Sequence, residues 1–307
     1  MSKSILIIGG TGFLGYHLAK KCVKKKWRVT IISSNKPKII RFIPKARYLT
    51  LDITKKNLIK KKIKSNFDFV VNFGGYVDHN DKLKTYLSHY VGCKNLVDFF
   101  IKKKLKCFIQ VGSCVEYGNK KSPQNENLLT NVKKLKSVYG KAKLAATNYL
   151  LHKHEKNNFP CIVLRLYLIF GPRQDFNRLI PNVIKSCLKN SSFSCSHGLQ
   201  YRDFLYVDDL IDLILKLLKK NISFGNIFNV GSGKKFKVKN MILLIQKLIK
   251  KGRPMFGKIK LRKDEITKLY PSIKKIKKTL DWKPKISTLE GIKKTIFFYK
   301  NNHKLLS

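Results

Sequence analysis

The feature that most constrains the fold is a glycine-rich turn near the start of the chain. A β-branched run, Ser4–Ile8, precedes the sequence GGTGFLG, which leads into a stretch with helical spacing, Gly12–Lys25. Glycine at position 9 permits a tight turn, at 12 it lets amides approach a phosphate, and at 15 it lets the helix pack close to the strand. This order predicts a pyrophosphate site at the helix N-terminus, and a plain strand–helix turn is the less favoured alternative. The predicted dinucleotide contacts are Gly9, Gly12, Phe13, Leu14 and Gly15.

Short apolar runs alternate with amphipathic stretches over the first two-thirds of the chain. Further helical spacing occurs at Leu83–Lys103 and Val138–Lys156. Repetition of strand, helix and strand predicts a parallel sheet covered on both faces. Right-handed crossovers then give an α/β fold with a doubly wound, Rossmann-type, NAD(P)-binding sheet. The strand candidates are Ser4–Ile8, Arg28–Ile32, Phe69–Phe73, Cys107–Val111 and Cys161–Leu166.

The pattern changes after Gly171-Pro172. Helices are predicted at Arg178–Lys189 and Asp208–Lys219, a strand at Asn226–Val230, and a mixture of short helices and loops from Phe236 onward. These changes predict a dinucleotide-binding domain over residues 1–170, to which residues 206–232 return. A smaller, C-terminal substrate-binding lobe is expected to comprise residues 171–205 and 233–307.

The chain is strongly basic, with 66 Lys and Arg against 17 Asp and Glu and a formal net charge of +49. Phosphate attraction needs clustered cations, but here the lysines are spread along the whole chain, without a localised basic arm or an aromatic RNA-binding motif. A dedicated nucleic-acid partner is therefore not expected. The abundance of Lys, Ile and Asn suggests coding bias in an A+T-rich gene, while the positive field should attract an anionic substrate.

Cysteine usage and hydropathy restrict the class further. The seven cysteines are scattered without a C-x-x-C pair, and several lie in apolar runs, so buried free thiols are expected and no metal site is predicted. No stretch of about 18 apolar residues exists, and the N-terminal apolar run is shorter than a signal peptide requires. A cytoplasmic protein without a membrane partner is expected.

The residues after the second strand candidate bear on the choice of dinucleotide. NAD-binding proteins usually place an acid there, about 20 residues beyond the glycine turn, to hold the ribose hydroxyls. The strand ends in Ser33 and Ser34, followed by Lys36 and then Arg41, and no acid precedes Asp52. Hydroxyls and cations suit a 2′-phosphate, so NADP is favoured, with NAD as the alternative.

Tyr139 and Lys143 lie four residues apart and are expected to share one helix face. A neighbouring ammonium favours the phenolate and lowers the pKa of a tyrosine from about 10. The phenol can then donate a proton to a carbonyl oxygen while hydride arrives, or accept one in reverse. Lys143 could also hold the nicotinamide ribose, and Ser113, after an apolar strand, could bond the same oxygen. An ordinary solvated helix face is the alternative for this spacing.

Together these motifs resemble the extended short-chain dehydrogenase/reductases, of the NAD(P)-dependent nucleotide-sugar epimerase/dehydratase type. The resemblance covers almost the whole chain. The motifs that carry it, in the family's order, are GGTGFLG, LDIT, NFGGYV, GSCVEYG, YGKAK, RLYLIFGPRQ, RDFLYVDD, FNVGSG and DWKPK.

The resemblance implies roles for individual residues. Asp52 and Ile53 are expected at the adenine, and Asn72, Phe73 and Gly74 along the dinucleotide. Ser113, Tyr139 and Lys143 are expected to form the catalytic set. The resemblance also places Arg202 and Arg262 at the substrate diphosphate, and Arg178 and Asn229 near its nucleotide. Arginine's planar fork suits phosphate oxygens, although an exposed solubilising charge is the alternative for any single arginine here.

The chain departs from the family pattern at three places. Dehydratases follow the Ser113 position with Asp-Glu, whereas this chain has Cys114 and Val115, and Glu116 lies one position further on. Dehydration is therefore disfavoured. Leu168 replaces a usual Asn, and His89 occupies a helix position where Asn is usual; a packed or surface histidine is favoured over a catalytic one.

Three functions remain. The favoured one is an NADPH-dependent 4-keto-sugar reductase of deoxysugar biosynthesis, in which Tyr139 protonates the oxygen at C4. The second is a nucleotide-sugar 4-epimerase with tightly held NAD, and the third is a sensor or scaffold that binds NAD(P) without turnover. By resemblance, a homodimer is expected through Leu83–Lys103 and Val138–Lys156.

Overall fold

The computed structural model of the protein describes residues 2–219, 224–261 and 265–306. The chain forms two compact units, each assembled from separate segments. The first unit comprises Met1–Gly118, Glu126–Leu166 and Ile211–Asn229. The second comprises Asn119–Asn125, Tyr167–Leu210 and Val230–Ser307.

The six strands predicted from apolar runs are all present, together with further short strands that were not predicted. In chain order they are β1 (Ser4–Ile8), β2 (Arg28–Ser33), β3 (Arg47–Thr50), β4 (Phe69–Asn72), β5 (Cys107–Ser113), β6 (Cys161–Leu166), β7 (Leu168–Phe170), β8 (Ser192–Ser194), β9 (Tyr201–Arg202), β10 (Phe204–Tyr206), β11 (Asn226–Val230), β12 (Phe236–Lys237), β13 (Arg253–Met255) and β14 (Lys268–Leu269).

The helices include the predicted amphipathic stretches. They are α1 (Phe13–Lys24), α2 (Lys56–Lys62), α3 (Lys82–Tyr86), α4 (Gly92–Phe100), α5 (Val138–Asn157), α6 (Leu179–Leu188), α7 (Val207–Leu217), α8 (Val238–Ile249), α9 (Lys274–Leu280) and α10 (Thr288–Lys300).

The predicted doubly wound parallel sheet is confirmed. Seven strands are arranged in the order β11-β6-β5-β4-β1-β2-β3. The pairs from β3 to β6 are all parallel, with Ile5 opposite Val29 on one side and Phe69 on the other. The chain winds outward from β1 in one direction and then in the other, so the point between β1 and β4 is where a dinucleotide binds in such sheets.

The core lies where the central strands meet the helices. Ile5, Leu6 and Ile7 are fully buried, as expected for a strand covered on both faces. All seven cysteines are free and buried, which confirms the prediction of buried thiols. The segment between β2 and β4 contains β3 and α2, which periodicity did not predict. β3 has only four residues and α2 is rich in Lys, so their apolar signal is weak.

One predicted helix differs from the expectation. Residues 82–100 are helical as expected, but a π-helical turn, Leu87–Val91, separates α3 from α4. Such turns insert a residue into the helical ladder, and they are frequent at functional sites. His89 lies within this turn and is buried.

The second unit contains smaller sheets and helices. β10 pairs with β7, β13 pairs with β8, and β9 lies between β12 and β14. The tail was expected to hold short helices, whereas α8 has 12 residues and α10 has 13. Over residues 2–219, 224–261 and 265–306, no helix is both long and apolar enough to cross a membrane.

Candidate active site

The glycine turn has the conformation that its sequence predicts. Gly9 adopts a φ of +73°, and its N–H donates to the carbonyl of Ile32 at 2.7 Å. A Cβ at Gly15 would lie 2.5 Å from Gly10 Cα and from the carbonyl oxygen of Gly9. The close approach at Gly15 therefore brings α1 against the turn itself, rather than against the body of β1.

The start of α1 suits an anion. Within this fully described segment, the helix begins after Gly12 without a side-chain cap, and its first turn has no acidic residue. The free N–H groups of the first turn and the positive end of the helix dipole then face outward together. A dinucleotide pyrophosphate fits this position.

A cavity of about 420 Å³ lies at the carboxyl ends of β1, β2 and β4. Its wall also includes Thr54, Gly75 and Tyr76. Asn95 on α4 supports the wall, because its Nδ2 donates to the carbonyls of Ile53 at 3.1 Å and Thr54 at 3.0 Å. Sequence reasoning missed Asn95, although a buried amide in an apolar helix was a usable signal. The predicted cofactor residues around this cavity are Gly9, Ser33, Ser34, Asp52, Ile53 and Gly74.

A second cavity, of about 430 Å³, shares Ser33 with the first. Its polar lining includes Thr11, Asn35 and Lys36. The hydroxyls of Thr11 and Ser33 are 2.7 Å apart and hydrogen-bonded. Arg41, the other cation near this strand end, is buried in a short 3₁₀ helix, Ile39–Arg41.

Asn72 lies beneath the first cavity and acts through its neighbours. It is 1% exposed, its Nδ2 donates to Gln110 at 2.8 Å, and its Oδ1 accepts the N–H of Gly74 at 2.9 Å. Asn72 therefore orients the Gly74 backbone at the cavity wall. Phe73, between them, is half-buried.

Tyr139 and Lys143 lie on α5, which begins with Ser137 as its N-cap. Gly140 lets this helix approach the turn after β5, since a Cβ there would lie 3.2 Å from the carbonyl of Val115. Lys143 is buried, and its Nζ donates to the carbonyl of Val111 at 2.7 Å and lies 5.9 Å from the centre of the Tyr139 ring. Burial lowers the pKa of Lys143 to about 8, while the negative charge of Glu116 opposes that shift.

Ser113 ends β5 and caps the turn that follows. Its backbone N–H donates to Glu116 Oε1 at 2.8 Å. Glu116 is fully buried, and its Oε2 accepts from Thr147 and from Arg165 Nε, each at 2.8 Å. Both carboxylate oxygens are thus engaged in holding β5, α5 and β6 together. Glu116 is therefore a structural group in this arrangement.

Two imidazoles contact the Tyr139 ring. His79 stacks on it with ring centres 4.0 Å apart, and His89 meets it edge-on at 4.9 Å. Burial and the charge of Lys143 lower the pKa of His89 to about 2, so this imidazole is neutral. A packed or surface histidine was favoured at position 89, and the residue is buried. His79 was not singled out from the sequence, because it lies in a loop without periodicity.

The predicted substrate residues have different surroundings. Arg202, in the second unit, is buried, pairs with Glu265, and donates from Nη1 to the carbonyl of Tyr201 at 2.8 Å. Arg178 in the same unit is exposed and precedes α6. Asn229, in the first unit, is fully buried and accepts from the Tyr117 hydroxyl at 2.8 Å. Arg262 lies outside the described residues.

A doubly wound sheet with a glycine turn and a cavity at its switch point defines a dinucleotide-binding α/β protein. The chain belongs to the NAD dependent epimerase/dehydratase family, whose sequence pattern matches residues 5–231. This is a family of enzymes that act on nucleotide sugars. Among the residues that the structure describes, no group of three or more His, Cys, Asp or Glu could hold a metal ion.

Proteins named as epimerases and as dehydratases resemble the chain over nearly its full length. A Methanocaldococcus jannaschii protein named "Putative UDP-glucose 4-epimerase" is 28% identical, over 98% of this chain and 99% of that protein. Human dTDP-D-glucose 4,6-dehydratase is 27% identical, over 98% of this chain and 91% of that protein. The structure of UDP-glucose 4-epimerase from Thermotoga maritima with UDP-glucose has a TM-score of 0.91 at 23% identity, and the match covers 98% of this chain and 99% of that one.

Proposed function

We propose that the protein is an NADPH-dependent reductase of a 4-keto nucleotide sugar. The observation that carries this choice is the second cavity, in which Lys36 and the hydroxyls of Thr11 and Ser33 lie next to the cavity that suits the adenosine. A lysine and hydroxyl donors match a 2′-phosphate. A reductase consumes a dissociable reduced cofactor, whereas an epimerase regenerates its cofactor in every cycle.

In this proposal Tyr139 donates its phenolic proton to the carbonyl oxygen at C4 of the sugar, and an alcohol results. The cofactor, when bound, supplies the hydride that C4 receives. The Ser113 hydroxyl donates to the same oxygen and orients it. Lys143 places a positive charge beside the phenol, which favours the phenolate left after proton transfer.

Dehydration is disfavoured by the groups near Ser113. Cys114 and Val115 occupy the positions after it, and neither can serve as the carboxylic acid or carboxylate base of water elimination. Glu116 is paired with Arg165 and bonded to Thr147. The reductase needs only one proton donor at the sugar, which Tyr139 supplies.

The second candidate is a 4-epimerase that uses the same three residues with resident NAD. The resemblance to the protein named "Putative UDP-glucose 4-epimerase" favours it. The two candidates differ in cofactor use. Purified protein that releases bound NAD on denaturation, and that interconverts UDP-glucose and UDP-galactose, would replace the reductase with the epimerase.

Tyr139→Phe tests the proposed chemistry. We expect the parent protein to consume NADPH with a dTDP- or UDP-linked 4-keto-6-deoxy sugar, and the variant to lose on the order of 100-fold or more in kcat, because the proton donor is gone. Tyr86→Phe, at a partly exposed tyrosine of α3, is the matched control and should retain activity. Equal turnover by parent and Tyr139→Phe would contradict the proposal, and absence of turnover in both would favour the sensor.

Lys36→Glu tests the cofactor choice. The substitution places a negative charge in the second cavity, so the KM for NADPH should rise about tenfold, or about 1.4 kcal/mol, while the KM for NADH changes little. Lys45→Glu makes the same charge change at an exposed lysine and is the control. If Lys36→Glu leaves the NADPH-to-NADH preference unaltered, the second cavity does not hold a 2′-phosphate.

A further inference from the structure

Tyr139 lies in the first turn of its helix. Tyr139 is the second residue of α5, which begins at Val138. Side chains in a helix normally lean on the turn that precedes them, and a residue in the first turn has no such turn beneath it. Its ring is contacted by residues that are distant in sequence. Orientation matters because a misplacement of about 1 Å can reduce a rate on the order of 100-fold.

Two histidines contact the Tyr139 ring. The His79 ring is nearly parallel to that of Tyr139, with an interplanar angle of 15° and a centre distance of 4.0 Å. The His89 ring approaches at 67° and 4.9 Å. The two imidazoles also contact each other, with centres 5.9 Å apart. A face contact and an edge contact restrain the phenol in two different directions.

His89 is itself held in place from several sides. Its Nε2 lies 3.1 Å from the carbonyl oxygen of Tyr76, which makes Nε2 the protonated nitrogen. A Cβ at Gly75 would lie 1.8 Å from His89 Cε1, so only glycine at position 75 leaves room for this ring. Gly75 and Tyr76 line the first cavity, and His89 therefore lies between the cavity wall and the phenol.

His79 reaches the phenol from a different element. It is an exposed residue of the loop between β4 and α3, close to Asp81, which caps α3. The two imidazoles thus come from a loop and from the π-helical turn, and both segments follow strand β4.

We propose that His79 and His89 are positioning residues that clamp the phenol ring of Tyr139 for proton transfer. The clamp acts through ring contact, so a phenyl ring can replace either imidazole. This inference rests on the proposed role of Tyr139 as proton donor.

The test compares ring-retaining with ringless variants. We expect His79→Asn and His89→Asn to lower kcat about threefold to tenfold, the effect of losing one aromatic pair, with the KM for NADPH within about twofold of the parent. His79→Phe and His89→Phe should retain most of the parent kcat. His152→Asn, at an exposed histidine of α5, is the matched control and should behave as the parent.

A spectroscopic measurement on the protein without substrate separates this inference from the proposed function. In tyrosine-labelled protein, the Tyr139 ring resonances are identified by their loss in Tyr139→Phe. The stacked His79 ring should change the chemical shifts of these resonances. This change should disappear in His79→Asn but persist in His79→Phe. If the His89 variants do not fold, the His79 pair decides, because that loop residue is exposed.

The clamp would be overturned if His79→Asn kept the kcat of the parent and the same Tyr139 chemical shifts as the parent. Equal loss of activity in His79→Phe and His79→Asn would also overturn it, since an imidazole nitrogen would then be the required group. An active Tyr139→Phe would instead overturn the proposed function, whatever the resonances show.

Discussion

At the scale of single residues, Lys143 carries a buried charge beside Tyr139. Its ammonium is removed from water, and one main-chain carbonyl, that of Val111, accepts from it at 2.7 Å. Because burial disfavours the charged form, the pKa falls from 10.5 to about 8. The charge that serves the proposed chemistry therefore lowers the stability of the fold.

This lowered pKa predicts a pH dependence of stability. In the folded protein Lys143 loses its proton near pH 8, whereas in the unfolded chain it keeps the proton up to about pH 10.4. The unfolded state binds more protons in that window, so the free energy of unfolding should rise with pH, by up to about 3 kcal/mol. Lys143→Met should lack this rise. Urea unfolding of both proteins from about pH 8 to 10 measures this rise. If the free energy of unfolding changes with pH in the same way in both proteins, the pKa of Lys143 is not lowered.

At the scale of elements, Glu116 and Arg165 join three parts of the first unit. The carboxylate bonds the Ser113 N–H at the end of β5, Thr147 on α5 and Arg165 on β6. A buried ion pair contributes little net stability over an apolar pair, but removal of one partner leaves the other charge uncompensated. The network links α5, which carries Tyr139 and Lys143, to the end of β5, where Ser113 lies.

Glu116→Gln should therefore be strongly destabilising, by about 3 to 5 kcal/mol, because Arg165 would remain charged and buried. Glu290→Gln removes a carboxylate from an exposed pair with Lys294, where both side chains are nearly half exposed, and is the matched control. It should cost about 0.5 kcal/mol or less. Urea denaturation gives both values, and similar costs for the two variants would exclude a special role for the buried pair.

At the scale of the whole molecule, a formal charge of +49 is spread over 307 residues. Such an excess raises the energy of the compact state through self-repulsion and attracts anionic ligands. Nucleotide sugars carry a diphosphate, so the same field favours their approach. The homodimer that the family resemblance implies stays a prediction.

Salt should stabilise this protein. Raising NaCl from about 0.05 to 0.5 M shortens the screening length and weakens the repulsion between lysines. We expect the Tm to rise by several degrees, as a gain of about 1 to 2 kcal/mol would produce in a chain of this size. Thermal unfolding in NaCl, compared with an uncharged solute at equal osmolality, measures the effect. A Tm independent of salt would show that charge repulsion contributes little to the free energy of unfolding.

Local spacing along the chain accounts for most strands of the central sheet. The limits of β1, β6 and β11 agree with the predicted Ser4–Ile8, Cys161–Leu166 and Asn226–Val230. The glycine turn and the helical spacing of Tyr139 and Lys143 were visible for the same reason. Hydrophobic period and turn chemistry are properties of neighbouring residues, so they can be derived without knowing the packing.

Tertiary packing alone decided which distant groups meet. Val111 accepts from Lys143 across 32 positions, Arg165 pairs with Glu116 across 49, and His79 stacks on Tyr139 from another element. No local period relates these residues, because their contacts depend on how α5 and the loop after β4 lie against the sheet. The scaffold follows from short-range chemistry, whereas the environment of the phenol follows from long-range contacts.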